Sequence, residues 1–209
     1  MLMSKQEKYI QFNLRMLNYK SRQDLYERLY LKAIVGSYSR ISHTPDTENV
    51  IRDRFVWDLE NNNDLTKGLI QDGILQLDFE RTHFVSIDEK RRTDLVFFIS
   101  GLGNFTIECK RLFNQNSKND EYIKNGLVRF TKLKYSKNNN CAGMLGFIVE
   151  DKQQQIFDGL RKKVLLYKYV NSKFLEDEFK WGGMSLKSTH KRTDNSKIHI
   201  YHLLFDFCK

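Results

Sequence analysis

Residues 91–112 read Arg91-Arg92-Thr93-Asp94-Leu95-Val96-Phe97-Phe98-Ile99, then Ser100-Gly101-Leu102-Gly103-Asn104, then Phe105-Thr106-Ile107-Glu108-Cys109-Lys110-Arg111-Leu112. The run 94–99 is short, apolar and rich in aromatics, the composition of a strand. The glycine-punctuated segment after it is a hairpin-type connection, and residues 105–110 form the next strand. Residues two apart on a strand share a face. Glu108 and Lys110 therefore project together while Cys109 points back into the core. A tight hairpin brings Asp94, which opens the first strand, beside them. The expected result is two carboxylates and an ammonium at one end of a sheet.

Outward from this hairpin the apolar periodicity alternates between strand and helix. Residues 5–35 carry Leu14, Leu17, Leu25, Leu29 and Ile34 near helical spacing, which predicts two helical pieces that Gly36 and the serines after it break. Thr44-Pro45-Asp46 has the chemistry of a helix start, with a helix expected from there to about Leu59. Residues 65–80 suggest a short helix and a turn at Asp72-Gly73, and residues 82–88 alternate as a strand. Helices are predicted over 120–134 and 152–170, with strands over 142–149 and 198–207. The Gly-, Ser- and Lys-rich stretch 182–197 reads as a basic loop. Helix, three strands, helix, strand, helix, strand is an α/β order with a mixed sheet, antiparallel at the hairpin and parallel across the helical crossover.

Two carboxylates can hold Mg²⁺ or Mn²⁺ through hard oxygens, and such a metal polarises a phosphodiester and lowers the pKa of water. A neighbouring lysine can stabilise the attacking hydroxide. Thr93-Asp94, thirteen intervening residues, then Glu108-Cys109-Lys110, on a strand–turn–strand with a helix before and after, resembles the PD-(D/E)xK nuclease superfamily over residues 45–150. Threonine stands where that family commonly has proline. The resemblance implies a restriction-endonuclease-like central mixed sheet flanked by helices, an αβββαβ core, with residues 1–40 as an N-terminal helical extension and 41–209 as the nuclease-like domain. It implies Asp94 and Glu108 as metal ligands, the main-chain carbonyl of Cys109 as a third oxygen, and Lys110 as the residue that positions the nucleophile. Glu48 is the candidate for the family's helix-borne glutamate. Residues 48, 52, 55 and 59 share a helical face, so Glu48 borders the side buried by Phe55 and Leu59. The activity implied is that of a Mg²⁺-dependent DNA endonuclease of restriction or defence type, acting as a homodimer. A repair, resolvase or RNA-directed nuclease of the same fold is the neighbouring reading, and a non-cleaving nucleic-acid-binding module is the other. Without catalysis, Asp94 is an ordinary strand-start residue and Glu108 with Lys110 an exposed ion pair worth under about 1 kcal/mol.

Composition fits these readings. The chain has 209 residues, 40 % hydrophobic and 13 % aromatic, which excludes disorder as a description of the whole. No apolar run approaches the length of a membrane span, and the N-terminus lacks the apolar stretch of a secretory signal. A net charge of +9 favours a polyanionic partner, nucleic acid first. Arg92, Arg129, Lys132, Lys191 and Arg192 are the candidate DNA contacts, with Arg129 as readily a bridge to the carboxylates. Arg161-Lys162-Lys163 reads as a solvated or a phosphate-binding helix face. Cys109, Cys141 and Cys208 form no CxxC pair and read as reduced cytoplasmic thiols. His199 and His202, three apart on a strand, face opposite sides and make no metal pair.

Overall fold

The computed structural model describes residues 4–84, 90–174 and 183–208. Among the described residues seven strands form one open mixed sheet: β1 (Leu75–Phe84), β2 (Lys90–Ile99), β3 (Gly103–Leu112), β4 (Cys141–Ile148), β5 (Tyr169–Phe174), β6 (Met184–Lys191) and β7 (Lys197–Asp206). Their spatial order is β1-β2-β3-β4-β7-β6-β5. β3, β4 and β7 run parallel at the centre, and the pairs on either side are antiparallel. The central strand β4 is buried along its whole length, as a strand covered on both faces must be.

Helices before the sheet cover one face and helices within the strand order cover the other. A helix over residues 22–38, built from Arg22–Leu25, a π turn Tyr26–Leu31 and Lys32–Tyr38, packs with the Glu48–Asn61 helix on Phe97, Phe105, Leu145, Phe147, Leu203 and Phe205. A helix over 116–131, also with a π turn, and the Gln153–Leu166 helix pack on Ala142, Met144, Ile200 and Leu204. Gly126 lets the former approach the sheet closely: a Cβ there would collide with Met144. No helix among the described residues is long and apolar enough to cross a membrane.

Several boundaries differ from the sequence expectation, each for a local reason. Gly36 does not end its helix, which continues to Tyr38 because Ala33, Ile34, Ser37 and Tyr38 are all buried. This burial outweighs the roughly 1 kcal/mol that an interior glycine costs. The next helix starts at Glu48 rather than at Pro45. Thr47 is its cap, accepting from the Val50 amide at 3.4 Å, while Asp46 is drawn off by Arg54 at 2.9 Å. β1 begins at Leu75, seven residues earlier than the alternation suggested; residues 85–88 lie outside the described residues. Asp94 lies inside β2 instead of opening it. Lys168, with φ of 44°, reverses the chain after Leu166, so the expected helix over 152–170 gives way to β5. The expected 182–197 loop is largely β6, hydrogen-bonded to β7 from Met184 to Lys191.

Candidate active site

β2 and β3 pair from Ile99–Gly103 to Leu95–Ile107 and then separate. On its other edge β3 stays paired with β4 through Leu112. The separation leaves amides of β3 without a β2 partner, and buried amides need acceptors. Carboxylates take the vacated places. Asp94 Oδ2 accepts from the Cys109 amide at 2.7 Å, and Glu48 Oε2 accepts from the Arg111 amide at 3.1 Å. Two acids from distant parts of the chain thus complete the edge of β3 at the point where the hairpin opens.

Lys110 fills the gap. Its Nζ lies 2.9 Å from Glu48 Oε1, 3.7 Å from Asp94 Oδ2 and 3.8 Å from Glu108 Oε2. It also donates to the Cys109 carbonyl at 2.5 Å. Glu108 is fully buried on the same face, while Cys109 lies in the opposite core. Arg129, from the 116–131 helix, places Nη1 3.0 Å from both oxygens of Glu108 and 3.0 Å from the Tyr135 hydroxyl. Tyr135 in turn donates to the Arg92 carbonyl on β2. Three carboxylates facing one ammonium and one guanidinium leave one negative charge in excess when all are ionised.

The electrostatics follow from burial. Loss of water pushes the Glu108 carboxyl up to about 8, with the Asp94 charge adding to the rise and Lys110 and Arg129 opposing it. Burial alone would depress the Lys110 ammonium, but Asp94, Glu108 and Glu48 outweigh it and hold the lysine charged. Tyr135 is pushed up to about 12 by burial and by the Glu108 carboxylate, so its hydroxyl remains a donor.

All four residues expected to carry chemistry, Glu48, Asp94, Glu108 and Lys110, meet in this cluster, and Arg129 joins them as a bridge to Glu108. The other expected nucleic-acid contacts are placed differently. Arg92 is exposed on β2 beside the cluster, 3.4 Å from Glu80. Lys132 is exposed at the end of the 116–131 helix, and Lys191 is exposed at the end of β6. Arg192 does not sit on an open basic loop. It is 5 % exposed, and its Nη2 donates to the carbonyls of Ser136 and Asn139. Lys191 and Arg192 lie at the strand end remote from Lys110. His199 and His202 do face opposite sides, pairing with Thr189 and with Ser188 respectively.

Two supporting features carried no sequence signal strong enough to single them out. Tyr135 returns beneath Arg129 after the chain reverses at Leu133, whose φ is a left-handed 56°. Arg52, buried in the Glu48–Asn61 helix, pairs with Glu80 at 3.0 Å. It thereby ties the helix that carries Glu48 to the strand that flanks Asp94.

The donor types suit a hard divalent cation: carboxylates and a main-chain carbonyl. Among the described residues, however, no group of three His, Cys, Asp or Glu side chains converges closely enough to hold a metal ion. Lys110 and Arg129 stand among the oxygens instead. Comparison with known proteins finds no matching family model, no similar curated protein and no similar solved structure.

Proposed function

We propose that this chain is a metal-dependent DNA endonuclease of the PD-(D/E)xK, restriction-endonuclease-like type. The observation that carries the reading is the convergence of Glu48, Asp94, Glu108 and Lys110 where β2 and β3 part, from segments up to 62 residues distant. Asp94, Glu108 and the Cys109 carbonyl would hold Mg²⁺ or Mn²⁺, which when bound supplies Lewis-acid polarisation of the phosphodiester and a lowered pKa for water. The chain's own groups do the rest. Lys110, kept charged by three acids, orients the attacking water and stabilises developing negative charge. Glu48 fixes the Lys110 ammonium. Arg129 holds both oxygens of Glu108, and it must release at least one of them, and the carboxyl its proton, before Glu108 acts as a ligand. That release frees a guanidinium for the substrate phosphate. The reading extends to a cytoplasmic homodimer in which two sites address two strands.

One observation favours a second reading, a nucleic-acid-binding module that does not cleave: Lys110 and Arg129 already satisfy the carboxylates. Purified protein is incubated with supercoiled plasmid, a synthetic junction and single-stranded RNA, each with Mg²⁺, Mn²⁺, Ca²⁺ or EDTA. Cleavage in Mg²⁺ or Mn²⁺ but not EDTA supports the nuclease, and the three substrates separate restriction, resolvase and RNA-directed activities. Salt-dependent binding in EDTA, with no cleavage under any metal, establishes the module.

A further inference from the structure

At the end of the sheet where β3, β4 and β7 begin, remote from Lys110, a cavity of about 740 Å³ is lined by Arg22, Lys137, Arg192, Lys197 and His199. It adjoins a second of about 730 Å³ that shares Arg22 and Lys137. The four cations come from the start of the 22–38 helix, the 132–140 connection, the β6–β7 turn and the start of β7. Topology, not local sequence, gathers them.

Their state is unusual. Buried charges are ordinarily paired, yet among the described residues neither the buried Arg192 nor the half-buried Arg22 belongs to an ion pair, while Lys137 and Lys197 stand exposed at the rim. Arg192 is 5 % exposed, and among the described residues its guanidinium donates to the neutral carbonyls of Ser136 and Asn139. Among the described residues, the buried Nε atoms of both Arg192 and Arg22 have no hydrogen-bond partner. Two acids also line the cavity, and both are engaged in their own turns. Glu7 accepts from the Ser4 amide at 2.7 Å, and Asp194 accepts from the Ser196 amide and hydroxyl at 3.0 and 2.7 Å. Burial lowers the Arg192 pKa despite the attraction of Asp194, as expected for a guanidinium without a counter-ion.

We propose that this cavity is a phosphate-binding site, in which Arg22 and Arg192 supply guanidinium donors and Lys137 and Lys197 the remaining charge. Guanidinium matches phosphate geometry with paired donors. Set against the two carboxylates, the four cations leave a net charge of about +2, which suits a dianion better than a lone carboxylate. A space of several hundred cubic ångströms admits a nucleotide unit as well as a free ion. The site uses none of the groups of the carboxylate cluster, so it stands whether or not the protein cleaves.

The test is made in EDTA, which removes metal chemistry. Inorganic phosphate is titrated against the full chain by calorimetry and thermal unfolding at constant ionic strength, with chloride as reference. Phosphate should raise the melting temperature where chloride does not, in proportion to its binding. Arg22→Met, at a helix start where an apolar stem is tolerated, should weaken phosphate binding at least tenfold. Arg192→Met should do the same; if loss of its carbonyl contacts unfolds the chain, Arg22→Met and Lys137→Ala decide alone. Single strands with and without a 5′-phosphate identify the source. Weakening by Arg22→Met of only the phosphorylated strand indicates a terminal phosphate, and weakening of both a backbone phosphate. Weakening of neither, with inorganic phosphate still bound by the wild type, indicates the free ion. If phosphate stabilises no more than chloride, or Arg22→Met and Lys137→Ala bind it as the wild type does, the proposal is overturned.

Discussion

Lys110 Nζ lies 2.9 Å from Glu48 Oε1, across 62 residues of sequence, at the point where β2 leaves β3. The same glutamate accepts the Arg111 amide with its other oxygen. Glu48 thus does two jobs: one oxygen completes the strand edge and the other sets the ammonium. These jobs can be separated by mutation. Glu48→Gln keeps an acceptor for Arg111 but removes the charge facing Lys110. Its cleavage should slow by orders of magnitude while its stability stays within about 1 kcal/mol of the wild type. Glu48→Ala should lose both. Normal single-turnover kinetics for Glu48→Gln would return Glu48 to a structural role.

Lys110→Ala should leave DNA affinity nearly unchanged and reduce the single-turnover rate on the order of 10²-fold or more, comparable with losing one transition-state donor. A protonated amine has no lone pair for a metal, so metal affinity measured by calorimetry should persist. Wild-type cleavage by Lys110→Ala would reduce the lysine to a partner in buried ion pairs.

Asp94 offers a variant that isolates chemistry from folding. Asp94→Ala removes the acceptor of the buried Cys109 amide and should cost about 1–3 kcal/mol besides abolishing cleavage. Asp94→Asn retains a carbonyl oxygen at that place. It should unfold in denaturant near the wild-type midpoint while remaining inactive. Activity in Asp94→Asn would remove Asp94 from the ligand set.

Arg129 and a divalent cation would draw on the same two oxygens of Glu108. Arg129→Ala leaves Glu108, fully buried, without its guanidinium, so in EDTA the variant should be less stable than wild type, most of all above about pH 8, where the wild-type carboxyl ionises. Saturating Mn²⁺ should then raise its melting temperature by more than it raises that of the wild type. An equal increment in both proteins would show that Arg129 and the ion do not share Glu108.

The core of this arrangement was legible from sequence because it obeys short-range rules. Strand parity places Glu108 with Lys110 and the hairpin returns Asp94 to them, whereas Glu48 enters through the resemblance to the nuclease superfamily, the helical face of Phe55 and Leu59 adding only that it borders the buried side. What escaped has long-range causes. In sequence β6 has the pattern of a loop because its inward residues Ser188 and His190 are polar, and polar alternation carries no strand signal. They are buried because residues from distant elements satisfy them. Arg192 looked like a surface cation for the same reason: its acceptors belong to Ser136 and Asn139, more than fifty residues away. Arg52 and Tyr135 support the cluster through contacts that no spacing rule marks.

The β6 residues carry a prediction of their own. His190 Nδ1 lies 2.7 Å from the Tyr167 carbonyl, which can only accept, so that nitrogen carries the proton. In the neutral ring Nε2 then accepts from the Ser188 hydroxyl at 2.7 Å. Ser188 accepts from His202 Nε2 at 2.7 Å, and His202 Nδ1 accepts from Tyr122 at 2.9 Å. Every contact is satisfied in one direction with both rings neutral, and charging either forces the facing hydroxyl, of Ser188 or of Tyr122, to accept and to turn its own proton away. Burial lowers the His190 pKa to about 4, and burial with the neighbouring His190 also holds that of His202 well below the usual imidazole range. In the unfolded chain both titrate near 6.5. The unfolded state therefore binds more protons below that pH, and stability is complete above about 6.5 and lost as pH falls toward 4. For His190 alone the loss is on the order of 3 kcal/mol. Glu108 acts in the opposite sense: its folded pKa of about 8 lies above the unfolded value of 4.5, so its contribution falls as pH rises between them. The two are separated by urea unfolding from pH 7.5 to 4.5. Glu108→Gln should steepen the loss of stability on acidification relative to wild type, and His190→Asn should flatten it. If His190→Asn leaves the acid limb unchanged, the histidines are not held neutral by this chain.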